Sequence, residues 1–292
     1  MIRFMSRHTI MLVCMALTIL GSGIVSRPSA AQSNPSSTPA NRNALLLSLQ
    51  SKTNGRVRVA YHAKTGSVRF IGTDLANPVR RSEKLAGTAT AVEAAAPFVA
   101  EYGSLFGLRD PQRELSVKST ESTPQGRSFV KYQQVSAGVP VIGGELVVQT
   151  DKAGNLISMN GEVLPNLEIS TTAKVSAADA RAKAQTMMGK TYSIPADKLV
   201  LSQPELWIFN QVIMGGPGLQ RNALVWRMEA TAPAVQPDVR EFILVDAQLG
   251  SMTLHFNQIA HAKVRVVCNA NNVVDPDGNP ILVDQHVPRP AK

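Results

Sequence analysis

The apolar residues of this chain change period twice in the same order, helical and then strand-like, and that order limits the fold more than any other feature. From Ala89 to Leu108 the residues Val92, Ala95, Val99, Tyr102 and Phe106 recur every three or four positions, which places them on one helical face. Pro97 lies inside this stretch and predicts a kink or a restart, because proline removes a backbone donor and crowds the preceding turn. Gly107 and Asp110-Pro111 mark the stop. Strand-like runs follow at Phe129 to Val135, Val139 to Thr150 and Leu156 to Val163, with Gly143-Gly144 interrupting the second. Asp151-Lys152-Ala153-Gly154 supplies the tight turn between the last two, since Asp and Gly tolerate positive φ.

The same order then returns. Ser176, with Asp179 three residues on, resembles a capping box, and Ala177, Ala180, Ala184 and Met187 line one face before Gly189. Strands are predicted at Leu199 to Leu201, Leu206 to Ile213, Ala223 to Ala230, Glu241 to Val245 and Ser251 to Phe256. Before either unit, Val57, Val59 and Tyr61 alternate, Lys64-Thr65-Gly66 turns, and Val68, Phe70 and Gly72 continue a hairpin; Leu75 to Ala86 connects it to the first helix. A helix laid on an antiparallel sheet buries one face of each. The expected class is therefore α+β: a hairpin and first unit over 45–165, and a second unit over 166–257, each cystatin-like.

The ends carry other signals. Arg3 and Arg7 precede an apolar run from Ile10 to Leu20, and Ser29-Ala30-Ala31 offers small residues for cleavage, so 1–31 reads as an export signal rather than a retained anchor. Residues 32–44 are expected to form a disordered spacer, with Ser and Pro dense over Ser33 to Ala40. Pro, Gly, Asn and Asp crowd the segment from Asn269 to Lys292, which predicts a loose tail. Cys14 leaves with the signal, so Cys268 has no partner within the processed chain and no internal disulfide supports the fold. The net charge of +9 falls to +6 without Arg3, Arg7 and Arg27, and the remaining charges are scattered, with Arg80-Arg81 the one tight basic pair. That spread predicts no nucleic-acid partner and no stable membrane insertion once the signal is gone.

Catalytic constellations are not visible. None of His8, His62, His255, His261 and His286 opens an H-E-x-x-H pair, the arrangement that places two imidazoles on one helical face with a glutamate to deprotonate a zinc-bound water. His255 and His261 are six apart and have no evident third ligand. Glu101, Glu145, Glu205 and Asp246 are dispersed, so no pair of carboxylates is indicated for glycoside chemistry. Cys268 lacks a Cys-His context. The expectation is a chain that is not an enzyme and holds no cofactor.

Three motifs carry a family resemblance: Lys131-Tyr132-Gln133-Gln134, the run Gly138-Val139-Pro140-Val141-Ile142-Gly143-Gly144-Glu145-Leu146, and Asn160-Gly161. Together they resemble the fungalysin/thermolysin propeptide domain, whose pattern has arginine where Lys131 stands. The second half resembles the PepSY-type segment of the same pro-regions, through Ser176 to Ala184, Leu224-Val225-Trp226 and Val245-Asp246-Ala247 to Gly250. The resemblance covers about Val57 to Phe256. It implies a secreted propeptide that precedes a zinc metallopeptidase catalytic domain, assists its folding and blocks its cleft. It also implies that residues 258–292 open a mature enzyme or form a tail, that zinc belongs only to the catalytic domain beyond, and that the partner is that domain. A free-standing secreted binding protein or peptidase inhibitor acting in trans is the alternative.

The residues that carry the match are Tyr132, Gln134, Gly138, Val139, Pro140, Gly144, Asn160, Gly161, Trp226 and Asp246, and each has two readings. Gln133, Gln134 and the Gly-Val-Pro turn either build the scaffold or touch a partner enzyme. Trp207 and Trp226 either fill a core or anchor an interface, as rigid aromatics do in both settings.

Overall fold

The computed structural model describes residues 39–81, 86, 88–215, 221–233, 239–259, 268–269 and 283–284. The expected export signal lies outside these residues, as do the spacer up to 38 and most of the segment after 259.

The first helix, α1 (Pro39–Lys52), occupies part of the expected spacer. Composition undervalued it: Leu45, Leu46 and Leu49 give the segment an apolar side, with Leu49 fully buried, and Pro39 stands at the first helical position where its missing N–H costs nothing. Lys52 at the other end reaches the Glu101 carboxylate at 2.6 Å and the Tyr102 hydroxyl at 3.2 Å, which ties α1 to the next helix. The hairpin β1 (Val57–Tyr61) and β2 (Val68–Thr73) follows, with Gly66 at φ 67° in its turn.

Helix α2 (Ala91–Phe106) starts at a complete capping box, Thr90 with Glu93, and ends at Gly107 in the left-handed region, φ 103°. The helix runs through Pro97 without a restart, and a specific contact supports it there. Proline at 97 frees the carbonyl of Glu93, four residues earlier, and the Arg81 guanidinium donates to that oxygen at 3.4 Å and to the Ala94 oxygen at 3.1 Å.

After a single turn, α3 (Pro111–Glu114), come β3 (Leu115–Ser122), β4 (Ser128–Ser136), β5 (Val139–Thr150) and β6 (Leu156–Glu162). These order as β1-β2-β6-β5-β4-β3, all neighbours antiparallel. Helix α2 lies across one face, burying Phe98, Tyr102, Leu105 and Phe106 against Ile71, Val130, Leu146, Val148 and Met159. Strand β3 lacks an alternating pattern because all of it beyond Leu115 is exposed.

In the second half, α4 (Ala177–Tyr192) is capped by Ser176, whose hydroxyl accepts from the Asp179 N–H. Its buried face is Ala180, Ala184 and Met188, whereas Met187 points outward. The helix continues past Gly189, which is a contact residue rather than a stop: a Cβ there would lie 3.0 Å from the Ile194 carbonyl oxygen. Strands β7 (Val200–Leu201), β8 (Glu205–Phe209), β9 (Ala223–Thr231), β10 (Arg240–Asp246) and β11 (Met252–Asn257) complete the half. β7 and β8 run one after the other along the same side of β9, broken at Pro204, and β10 and β11 lie on its other side.

The architecture is α+β, as expected. The two helix-and-sheet halves nevertheless form one hydrogen-bonded system of eleven strands, because β5 is long enough to serve both. Its residues Glu145–Thr150 lie between β4 and β6, while Val141 pairs in parallel with Ile208 of β8. Val141, Leu164, Ile208, Leu224 and Ala247 form an apolar cluster at this junction. Separately, Cys268–Asn269 pairs antiparallel with Val283–Asp284.

Candidate partner-binding surface

The motif residues of the first half assemble at the junction. β4 turns into β5 through Ala137 and Gly138, both with positive φ (47° and 80°), the two-residue turn whose twist suits a hairpin. Val139 then packs half-buried on the junction cluster, and Pro140 stands opposite Val135. At Gly143, φ 74°, the strand bulges, and the Gln133 side chain closes the bulge by donating to the carbonyls of Gln134 (3.1 Å), Val141 (2.6 Å) and Gly144 (2.8 Å).

Gln134 is fully buried and grips the start of the connection between the halves. Its amide donates to the Leu164 carbonyl and its oxygen accepts from the Leu164 N–H, both at 2.8 Å. Gly144 must be small beneath it, since a Cβ there would lie 3.0 Å from the Gln134 oxygen and 2.8 Å from Val141 Cβ. Gly161 is tighter still, because the backbone of Glu145 and Leu146 fills the space a Cβ would need.

Tyr132 faces α2. Its hydroxyl is buried without a hydrogen-bond partner among the described residues, and burial pushes its pKa up to about 12. Asn160 lies exposed on the opposite face of the sheet. Near it, Glu145 receives Lys118 at 2.5 Å and Lys131 at 2.7 Å, and lysine at 131 thus keeps a charge partner where the family pattern has arginine. Burial pushes the Glu145 carboxyl up, but the two ammonium donors outweigh it and the net shift is down.

Trp226 and Asp246 lie in the second half, and both are engaged internally. The Trp226 indole is on the α4 side and donates to the Val175 carbonyl at 2.8 Å. Asp246 is buried at the end of β10, where one oxygen accepts from the Gln248 and Leu249 N–H groups and shapes the turn into β11. At the opposite end of β10, the buried Glu241 carboxylate accepts from the Tyr192 hydroxyl and lies 3.4 Å from His255 Nδ1. Burial first, then the Glu241 charge, raise the Tyr192 pKa to about 12.

The surface open to a partner is the other side of the second sheet. Strand alternation sends Trp207, Phe209, Val225, Phe242, Leu244 and Leu254 away from α4 into a separate apolar cluster. Phe209, Val225 and Leu244 are buried beneath, whereas Trp207, Phe242 and Leu254 are half-buried and Phe256 is 47% exposed. Phe242 and Phe256 are paired across β10 and β11, with centroids 5.2 Å apart. Arg227 lies against both Trp207 and Phe242, 5.4 Å from each ring, and ion-pairs with Glu205 and Glu229 at 3.3 Å. No helix among the described residues covers this face. It combines half-exposed aromatics and an arginine with a charged rim, the composition of an interface centre. Sequence reasoning raised Trp207 but gave it no face; alternation works within one strand, and only the register, with Leu206 opposite Trp226, sends Trp207 and Trp226 to opposite faces.

Among the described residues no three His, Cys, Asp or Glu side chains come together as a metal site. No described helix is long and apolar enough to cross a membrane.

Residues 113–163, which are the end of α3 and the strands β3 to β6, match the family described as the Fungalysin/Thermolysin Propeptide Motif. Bacillolysin of Bacillus subtilis subsp. amylosacchariticus and bacillolysin of Bacillus subtilis strain 168 are each 26% identical to this chain over 189 residues, 64% of this chain and 34% of theirs. The chain thus spans about a third of the length of these relatives. Among solved structures, the Bacillus megaterium YpeB C-terminal domain is similar over 74% of this chain and 96% of its own, with TM-score 0.33 and 10% identity. An uncharacterized protein from Eubacterium rectale ATCC 33656 is similar over 75% and 83%, with TM-score 0.39 and 11% identity. Residues 113–163 thus form a thermolysin-family propeptide-like region, built on the Gln133–Gln134 junction of β4 and β5.

Proposed function

We propose that this chain is the exported pro-part of a thermolysin-like metallopeptidase, and that it binds the catalytic domain through the open aromatic face of β8, β9, β10 and β11, assisting its folding and restraining its activity. The single observation that carries the reading is that face, in a chain whose residues 113–163 match a propeptide motif. A rigid, prefolded sheet presenting Trp207, Phe242 and Phe256 offers a folding enzyme an ordered apolar template, which lowers the conformational entropy the enzyme must lose unaided. The motif residues serve this indirectly. Gln133 and Gln134 fix the junction from which the second sheet projects, and Trp226 and Asp246 fix that sheet from behind and at its end. Zinc chemistry belongs, in this reading, to the catalytic domain.

The test is refolding. The cognate catalytic domain, denatured in guanidinium and diluted with and without the purified chain, is expected to recover activity only with it, and to be inhibited when excess chain remains. Equal yields together with no detectable complex would overturn the proposal. A complex that inhibits the folded enzyme without raising its refolding yield would instead favour a trans-acting inhibitor.

A further inference from the structure

The aromatic face leaves a second open feature of the same half unused. Among the described residues β11 is a terminal strand, paired on one side with β10 and on the other with nothing, so one row of its backbone donors and acceptors is free. Its sequence, Met252 to Asn257, contains no proline and no lysine, the residues that usually blunt an edge. Beside its first residues and α4 opens a groove of 550 Å³ with walls from Met187, Val245 and Met252. Two cations border it. Lys183 lies over Gly250, whose φ of +70° and missing Cβ leave room for the ammonium, and Lys190 stands two turns along the same helix. Neither lysine has an ion pair among the described residues, and no carboxylate lines the groove, so an apolar channel beside a free strand edge carries uncompensated positive charge.

We infer that this groove binds an extended peptide segment by strand addition to β11, taking an apolar side chain between Met187 and Met252 and, from positions two residues away on the same face of the added strand, the carboxylate of an Asp or Glu at Lys183 or Lys190. Strand addition obtains affinity from main-chain hydrogen bonds and selectivity from pockets that meet alternate side chains, which is the arrangement here. The occupant is thus an acidic-apolar segment of a partner polypeptide. The groove lies on the α4 side of β11, whereas Leu254 and Phe256 of the same strand face the aromatic side, so the two surfaces share a strand but not their side chains.

The probe is acetyl-Glu-Thr-Leu-Thr-Glu-amide, whose Leu and two Glu share one face of a strand, titrated into the full chain, with acetyl-Lys-Thr-Leu-Thr-Lys-amide as its charge-reversed counterpart. The acidic peptide is expected to bind saturably with Kd below about 1 mM, and the basic one not to saturate in that range. Slowed amide exchange within Met252–Asn257 should accompany binding. K183E/K190E, which alters two exposed helix residues, should weaken the acidic peptide by about tenfold or more, whereas the equally charged K152E/K198E should change it less than about twofold. The inference is overturned by failure of the acidic peptide to saturate, by equal binding of both peptides, or by equal loss in the two charge variants. It is also overturned if the chain alone is a dimer with β11 already protected, since a second copy would then fill the edge. Loss of aromatic-face binding in other variants leaves these outcomes untouched.

Discussion

The two halves of the molecule obey one rule on their inner faces and differ in how polar their outer ones are. In both, a 16-residue helix lies on an antiparallel sheet and buries alternate strand residues. The outer face of the first sheet carries the polar residues Lys118, Lys131, Glu145, Gln149, Ser158 and Asn160, several joined by ion pairs and hydrogen bonds, around the half-buried Phe70, Phe129 and Val147. The outer face of the second carries Trp207, Phe242, Leu254 and Phe256. Layering alone requires only the inner faces to be apolar. The apolar cluster of the second outer face, which runs out to the exposed Phe256, is therefore the part of the sequence that folding does not demand, and it is where a partner is to be sought.

The largest expected effect separates the faces directly. W207A/F242A should weaken the complex with the catalytic domain by about 100-fold or more, roughly 2.7 kcal/mol, while K131A/Q149A on the first sheet should change it less than about threefold. Titration calorimetry against the folded catalytic domain reads both, and equal losses would break the comparison.

Next come the motif glutamines, which belong to neither face. Gln134→Leu leaves the buried N–H and carbonyl of Leu164 unpaired and should cost about 2–4 kcal/mol in urea unfolding, with no loss of affinity in the fraction that remains folded. Tyr132→Phe provides the contrast within the same motif. Its hydroxyl has no partner to lose, so stability should stay within about 1 kcal/mol of the parent or rise.

The smallest effect is electrostatic. The folded-state pKa of Glu145 is depressed, so its contribution is present above the unfolded carboxyl pKa, about 4.3, and is lost as pH falls through the lower folded value. Because the group is largely solvated, Glu145→Gln should remove no more than about 1 kcal/mol at pH 7 and flatten the acid limb of the stability curve, with variant and parent converging below about pH 3.

Much of this architecture was legible in the chain because its signals are local. The cap at Ser176, the stop at Gly107 and the glycines of the hairpin turns report backbone geometry within four residues, and with the apolar periods they give both sheet-packed helices and most strands. What was not legible depends on distant partners. Pro97 continues a helix because Arg81 takes the carbonyl it frees. Strand β3 has no apolar period because it is an exposed edge, and α1 is helical because Leu49 finds the first core. For the candidate surface, the motif glutamines were visible as residues, but only the fold shows that they close a bulge and hold Leu164. The tryptophans looked equivalent in sequence until their strands assigned them opposite faces.

The most direct test of the account is carbene footprinting of the full chain with and without the folded catalytic domain. The account predicts that labelling of Trp207, Phe242, Leu254 and Phe256 falls sharply in the complex while Lys131, Gln149 and Asn160 are labelled as before. Protection confined to the first sheet, or none on either face while a complex is present, would contradict it.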